Sequence, residues 1–418
     1  MPSFSVPLSG LDASSQALTL IANNLANLNT PGYKSASSQF TTLFYQNLGT
    51  SGNGDPLQEG TGTQVGAIST NFTDGAVNPT GINSNAAIQG DGLFVVSANG
   101  QQQFTRAGDF TVSSQGLLQT ADGAQVQGYQ AANGVVNANG PLGSLQVGSG
   151  VNSPARATAN VQLGLNLDSN SAVGATFSQP IQVFDSLGGN HTMTATFTKT
   201  ASNAWNYTVT LPGADTGGAV PTTLASGSIT FNSQGQLVPT TPGPPPSENV
   251  TVASGALANG ASALNMTWHL FDPQGNSLLT QTASASTPLL TQQDGAASGN
   301  LINFSIGSDG LVTGSFSNGL TQSLGQLALA TFANAQGIQA IGGNSFLAST
   351  ASGLPTIGVP GTGSRGKLQG GAIEQSNVDI AAEFSSLIQA QRGYEASAHT
   401  VTTFDQITQD TINMKAGL

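Results

Sequence analysis

A run from Ser376 to Met414 contains no proline and a single glycine, Gly393, and no other stretch of the chain restricts the fold as much. Within it, apolar residues recur at Ile380, Phe384, Leu387, Tyr394, Ala398 and Val401. Their steps of 4, 3, 7, 4 and 3 keep one face of a helix apolar. Gln391 interrupts that seam, and beyond Val401 the apolar residues Phe404, Ile407, Ile412 and Met414 spread over a wider arc. The spacing predicts one long amphipathic helix. Ser376, Asn377 and Asp379 offer caps at its start, and Glu383 falls in an early turn, where a carboxylate suits the positive end of the helix dipole. The opposite end of the chain answers it. Leu11, Leu18, Ile21, Leu25 and Leu28 lie on an a/d pattern with Ser14 filling one place, and Asn29-Thr30-Pro31-Gly32 stops that helix.

The sequence between these ends has a different texture. Residues 33–75 read as a tether with a little local structure. From Ala76 onward short strands follow one another: Ala86-Ala87-Ile88, Leu93-Phe94-Val95-Val96, Phe104-Thr105-Arg106, Phe110-Thr111-Val112 and Ala124-Gln125-Val126. Asp91-Gly92, Gly108-Asp109 and Asp122-Gly123 divide them and read as hairpin turns. The same texture returns at Ile302-Phe304-Ile306, Leu311-Val312 and Leu327-Ala328-Leu329-Ala330, with Asp309-Gly310 as the turn. The insert between them has strands of its own, at 181–184, 192–197, 205–211, 229–231 and 266–271, and holds both tryptophans, Trp205 and Trp268. Its loop Pro242-Gly243-Pro244-Pro245-Pro246 cannot enter a central strand, because proline gives no ladder donor. The expected fold is mainly β with α-helical termini: two nested β domains plus an N- and C-terminal helical coiled-coil pair. The boundaries are 1–32 plus 374–418 for the helical domain, 33–75 for the linker, 76–149 plus 293–373 for the inner β domain and 150–292 for an inserted outer β domain.

Charge and composition narrow the function classes. The chain's 418 residues suffice for two or three cores, yet only 7% are charged, against about 25% in ordinary soluble proteins. With 20 acidic and 8 basic residues the net charge is -12, so nothing offers the basic patch that nucleic acid requires. Cysteine is absent, which removes disulfides, thiolate metal sites and cysteine nucleophiles together. The N-terminus lacks a basic n-region and no apolar run reaches the length of a membrane span, so neither membrane insertion nor an ordinary signal-peptide route is expected.

Chemical motifs are scarce. Gly361-Thr362-Gly363-Ser364-Arg365-Gly366-Lys367 satisfies GxGxxG and most of a P-loop, but position 368 is Leu where a metal-holding hydroxyl is required, and Pro355 and Pro360 precede it instead of a strand. The run reads as a glycine loop. His191, His269 and His399 share no metal-ligand spacing, no nucleophile stands beside a base, and Asp74, Asp91, Asp122, Asp294 and Asp309 all precede glycine, where turn geometry explains them. No cofactor and no enzymatic activity are expected. The helices themselves are the unusual feature: residues 8–30 carry Asp12 as their one charged side chain, far fewer charges than a solvated helix normally shows. Their apolar seams point to burial against other copies, with helical order gained on assembly.

Three groups of residues resemble one family. Leu8-Ser9-Gly10-Leu11, Asn23-Asn24-Leu25-Ala26-Asn27 and Asn29-Thr30-Pro31-Gly32-Tyr33-Lys34 resemble the N-terminal signature of the bacterial flagellar rod and hook family. Ser376-Asn377-Val378-Asp379-Ile380, Glu383 and Gln389-Ala390-Gln391-Arg392-Gly393-Tyr394 are similar to its C-terminal signature. The stretches 87–96 and 104–110 resemble its shared β domain. The length and the insert separate the chain from the shorter rod members, and Phe177 to Phe197 resembles the outer domain of the longer ones. The proline loop and the Ala-Gly-Leu ending depart from the family pattern.

The resemblance implies a structural homopolymer: a curved, flexible tube in the bacterial flagellum, exported by the flagellar type III apparatus and lying outside the cell. Its implied partners are further copies of itself, the distal rod, the hook cap and the hook-filament junction proteins. The implied interface comprises Leu11, Leu18, Ile21, Leu25, Leu28, Ile380, Phe384, Leu387, Tyr394, Val401 and Phe404. The rival readings are another axial protein such as the distal rod and, in a different class, a secreted β-rich adhesin or glycan-binding protein.

Overall fold

The structure, a computed structural model, describes residues 4–51, 53–239 and 249–416, so the proline loop 242–246 and residues 417 and 418 lie outside the described residues. By compactness the chain divides into two units. Unit 1 comprises Met1–Val151, Asn303–Gly314 and Gln322–Leu418; unit 2 comprises Asn152–Ile302 and Ser315–Thr321.

Unit 1 is organised around the strand Leu93–Ala98. It pairs antiparallel with Gln101–Thr105 and with Gln125–Ala132, and Gln101–Thr105 pairs in turn with Ser345–Leu347. Leu93-Phe94-Val95-Val96 is buried on both faces. Phe94 and Val96 join Ile88, Phe110, Leu118 and Leu145 in one core, while Leu93 and Val95 join Phe104, Tyr129 and Phe346 in another. Alternate residues of a strand point to opposite faces, so a strand covered on both sides can be apolar throughout. In the first core the Phe94 and Phe110 rings meet edge to face, their centroids 4.9 Å apart.

Two of the expected hairpin turns do not join paired strands. Residues 86–89 before Asp91-Gly92 pair with Lys367–Gly370 and not with Leu93–Ala98, and the strand before Gly108-Asp109 pairs with Leu93–Ala98 and Ser345–Leu347. Asp122-Gly123 does close a hairpin, Gln119 opposite Gln125, and at Asp309-Gly310 the Gly307 amide reaches the Leu311 carbonyl at 2.8 Å. Two-residue turns lie instead at Asn99-Gly100, Asn133-Gly134 and Gly343-Asn344, with positive φ at both residues of each pair, as a two-residue hairpin demands. An Asp-Gly pair records where the backbone can turn, not which strands meet there.

Residues 33–75 are more than a tether. Ala36–Thr42 pairs with Thr63–Thr70, and Tyr45–Thr50 with Pro56–Gly60, both antiparallel. Both strands of each pair are largely exposed, with Phe40, Phe44, Tyr45, Leu48, Leu57 and Ile68 all in solvent. With no buried face there is no alternation to read, and the strands escape a period-2 search. The P-loop-like run is a closed turn: Gly361 N–H donates to Gly366 O at 2.8 Å, and Lys367 opens a strand where a phosphate site requires a helix.

Unit 2 holds two sheets. Thr176–Phe184, Asn190–Ala201, Ala204–Leu211 and Thr222–Thr230 form an antiparallel meander in that order. The second sheet is built on Asn160–Asp168, a strand absent from those expected of the insert; it pairs in parallel with Asn265–His269 and Leu279–Thr282 and antiparallel with Thr287–Gln293. Leu163, Leu165 and Leu167 from this strand share one core with Phe197, Trp205 and Trp268. Trp268 packs edge-on against Phe197 and Tyr207, at 6.1 and 5.4 Å. Trp205 Nε1 donates to Gln281 Oε1 at 2.9 Å, a side-chain bond from the meander to the second sheet.

Candidate assembly interface

Both chain ends are helical in unit 1: α1 spans Ser5–Ala26 and α2 Ile380–Ala416. Pro7 lies in the first turn of α1, where a backbone N–H has no intrahelical acceptor and proline costs little. At the start of α2, Asp379 Oδ1 accepts the amides of Ala381 and Ala382 at 2.9 and 3.2 Å, so of the three possible caps Asp379 fills the role.

The helices run antiparallel, and their contact is made by small side chains. Phe4 meets Phe404 edge to face at 6.1 Å; farther along, a Cβ on Gly10 would lie 3.0 Å from Ser397 Oγ, and one on Gly393 would lie 3.3 Å from Ser14 Oγ. At the far end Asn24 Nδ2 donates to Glu383 Oε1 at 2.9 Å. Pro7, Ala13, Ala17, Ile21 and Asn24 are the buried residues of α1. Small residues allow two helix backbones to approach closely, and they leave the large apolar side chains on the flanks.

Of the eleven interface candidates, Ile21 is buried in this contact. Leu11, Leu18, Leu25, Leu28, Leu387, Val401 and Phe404 are half-buried, and Ile380, Phe384 and Tyr394 are exposed. Leu8, Ile388, Ile407 and Ile412 are exposed as well. Asn24 is the residue that the leucine pattern concealed. Its Nδ2 donates to Ala36 O at 2.7 Å, while its Oδ1 accepts the Ala36 amide at 3.1 Å and the Tyr33 hydroxyl at 3.1 Å, so one side chain completes the backbone pairing of the residue that leaves the helix. A polar residue in the apolar register of a helix was the available signal.

The two helices are rooted in a single charge cluster, in which Lys34, Arg106 and Glu374 are buried and Asp74 is 43% exposed. Lys34 follows α1, Glu374 precedes α2, and their side chains, each 1% exposed, meet at 2.7 Å. Glu374 also accepts Arg106 Nε at 2.5 Å and the Gly75 amide at 2.8 Å, and Arg106 Nη2 reaches Asp74 Oδ1 at 2.6 Å. Two cations and two carboxylates balance, and the donors that remain find carbonyls: Lys34 Nζ at Thr73 O, Arg106 Nη1 at Gly92 O. Burial pushes the Lys34 ammonium below its ordinary value; its bond to Glu374 opposes that, and the Arg106 charge adds to it. Gly32, at φ +67°, passes so close that a Cβ would lie 2.6 Å from the backbone of Arg106 and Ala107. Beside the cluster, Asn377 Oδ1 accepts the Ser35 amide at 2.8 Å and its Nδ2 donates to Asn71 O at 2.8 Å.

Four stretches of the chain match known families: residues 5–34 the flagella basal body rod protein, 87–166 the flagellar hook protein FlgE/F/G D1 domain, 151–296 the flagellar basal body protein FlaE D2 domain, and 369–414 the flagellar basal body rod FlgEFG protein C-terminal region. Together with paired terminal helices on β units, these matches define an axial protein of the bacterial flagellum. The flagellar hook protein FlgE of Treponema pallidum (strain Nichols) is 33% identical over 98% of both chains. Those of Salmonella typhimurium and Escherichia coli K12 are 33% and 32% identical, over 99% of this chain and 100% of theirs. The chain belongs to the flagellar hook protein FlgE family. A crystal structure of the Helicobacter pylori flagellar hook protein FlgE2 overlaps 71% of this chain and 99% of that one, with TM-score 0.49 and 14% identity.

Proposed function

We propose that this chain is the structural subunit of the flagellar hook and polymerises into a curved, flexible tube, a universal joint between the motor rod and the filament. The observation that carries the reading is the outward apolar face of the terminal helices, with Phe384 51% and Ile388 50% exposed beside a seam already closed by small residues. Such a face loses free energy when it is covered, and repeated burial of one surface in equivalent copies builds a tube or filament. Ten of the eleven candidates supply that surface, Leu11, Leu18 and Leu25 on α1, Leu28 just beyond it and Ile380, Phe384, Leu387, Tyr394, Val401 and Phe404 on α2, while Ile21 is already taken up by the seam between the helices. The distal rod, the hook cap, the hook-filament junction proteins and the type III export apparatus are the further partners, supported by the terminal signatures. The subunit works in the hook region outside the cell, and its role is mechanical. The domain boundaries drawn from the sequence belong to the same proposal, with residues 150–292 as a separable insert.

Phe384→Asp tests the reading. In the single chain the new carboxylate is solvated and the thermal transitions stay put; in the polymer it is buried unpaired, at a cost of several kcal/mol. Purified Phe384→Asp should stay folded and soluble and fail to elongate hook seeds at concentrations where the parent grows. Elongation at the parental rate would remove this face from the interface.

A further inference from the structure

One titratable cluster in unit 2 lies outside the interface proposed above. The strand Thr176–Phe184 runs into a turn headed by Asp185, and the next strand, Asn190–Ala201, brings His191 back beside it. Asp185 is fully buried. Its Oδ2 lies 2.9 Å from His191 Nε2 and 2.5 Å from Asn259 Nδ2, and its Oδ1 accepts the amides of Leu187 and Gly189 at 2.8 and 2.7 Å. The other ring nitrogen, Nδ1, is buried and makes no hydrogen bond. It faces Asp215 Oδ1 at 3.4 Å, from the short 3-10 helix Gly213–Thr216. Among the described residues, the charged groups brought to the ring are two carboxylates, Asp185 from the turn and Asp215 from the short helix; Asn259 is neutral.

The ring has three protonation forms, and the geometry separates them. With a proton on Nε2 alone, the Nδ1 lone pair is buried against a carboxylate oxygen, and neither atom can donate. With a proton on Nδ1 alone, the mismatch moves to Nε2 and becomes worse, because the Asp185 oxygen is at 2.9 Å. The doubly protonated ring gives each carboxylate an N–H. Asp185 is pinned by its other donors, whereas the Asp215 side chain is 27% exposed, so Asp215 is the side free to move.

We propose that His191 is a proton-operated latch in unit 2: doubly protonated, it binds the Asp185 turn to the Asp215 helix, and loss of the second proton releases the Asp215 side. The event is a proton transfer between Nδ1 and water, with no other bond made or broken. Release opens the segment around Gly213–Thr216 while the sandwich core stays closed.

The experiment is nitrogen-15 NMR of the histidine rings in the full chain from pH 5 to 9, paired with hydrogen exchange. His191→Gln identifies the signal among the chain's 3 histidines. Loss of the second ring proton should coincide with faster exchange at the Asp215 and Gly218 amides, which donate to Pro212 O and Gly213 O. Asp215→Asn removes one pole at a partly exposed position, so it tests the latch even if His191→Gln unfolds. It should uncouple exchange at these two amides from protonation of the ring, while Asp272→Asn leaves the coupling intact. Exchange indifferent to the ring's protonation, or a coupling that survives Asp215→Asn, would each overturn the latch.

Discussion

The helical pair of unit 1 and the sandwich of unit 2 use apolar side chains in opposite ways. In unit 2 the large ones, Leu163, Leu165, Phe197, Trp205 and Trp268, face inward and are almost wholly buried. In the helical pair the inner seam is built from Gly10, Ala13, Ala17, Gly393 and Ser397, while Leu8, Ile380, Phe384 and Ile388 face out. The sandwich spends its hydrophobic surface on its own stability, and the helices leave much of theirs in solvent. Apolar content alone would not distinguish the two; the side on which it lies does.

The comparison can be broken most forcefully at the root of the helices. Glu374→Gln leaves two buried cations with one carboxylate between them, and unit 1 should lose about 3 to 5 kcal/mol, read by calorimetry of the monomer. An unchanged transition would mean that the charge cluster does not hold the helices to the β body. Next comes the contrast itself: Leu165→Ala should cost the sandwich about 3 kcal/mol, whereas Phe384→Ala should leave the monomer within about 0.5 kcal/mol of the parent. Both tryptophans lie in unit 2, so their fluorescence isolates its unfolding. Equal losses would erase the distinction between inward and outward faces.

Acid provides a smaller effect confined to the sandwich. Burial acts to raise the Asp185 carboxyl, but hydrogen bonds from His191, Asn259, Gly189 and Leu187 outweigh it and hold the group at about 2, against 3.8 ordinarily. A carboxyl depressed by folding contributes stability above its unfolded value and loses it as pH falls through the folded one. Unit 2 should therefore lose about 2 kcal/mol between pH 4 and pH 2, visible as a drop in the midpoint followed by tryptophan fluorescence. A flat midpoint across that window would contradict the hydrogen-bonded carboxylate. The smallest effect belongs to the inner seam: Gly10→Ala presses a methyl to 3.0 Å from Ser397 Oγ, a shift the serine rotamer can partly absorb. Overpacking outweighs the gain in helix propensity, for a net cost of about 1 kcal/mol, measured as loss of helical circular dichroism at a lower temperature. Stabilisation by this variant would show that the helices do not approach as closely as the seam implies.

The sequence revealed these regions to different depths. Period-3.6 spacing located both helices, and the terminal signatures identified the family, because both are written in large or distinctive residues. The inner seam left no such mark: glycine, alanine and serine carry little hydropathy, so a line of them disappears beside Leu11, Leu18 and Leu25. Asn24, polar in an apolar frame, and the Lys34–Glu374 pair, 340 residues apart, acquire meaning only when the chain ends meet. The exposed strands of residues 36–70 had no buried face to set an alternation. Asn160–Asp168 was passed over because Gly164 and two asparagines break up its leucines, although both faces of the strand are largely covered.

The Lys34–Glu374 contact also has a place in time. It closes a loop of 340 residues, and contacts of such separation form late, after local pairings have shortened the path between their ends. A chain that emerges with its first residues leading cannot close the root until Glu374 has followed, so the sheets of unit 2 can be complete while the two helices are still apart. The outward face of the paired helices is therefore completed last, and a chain that has not yet brought Glu374 to Lys34 does not present it.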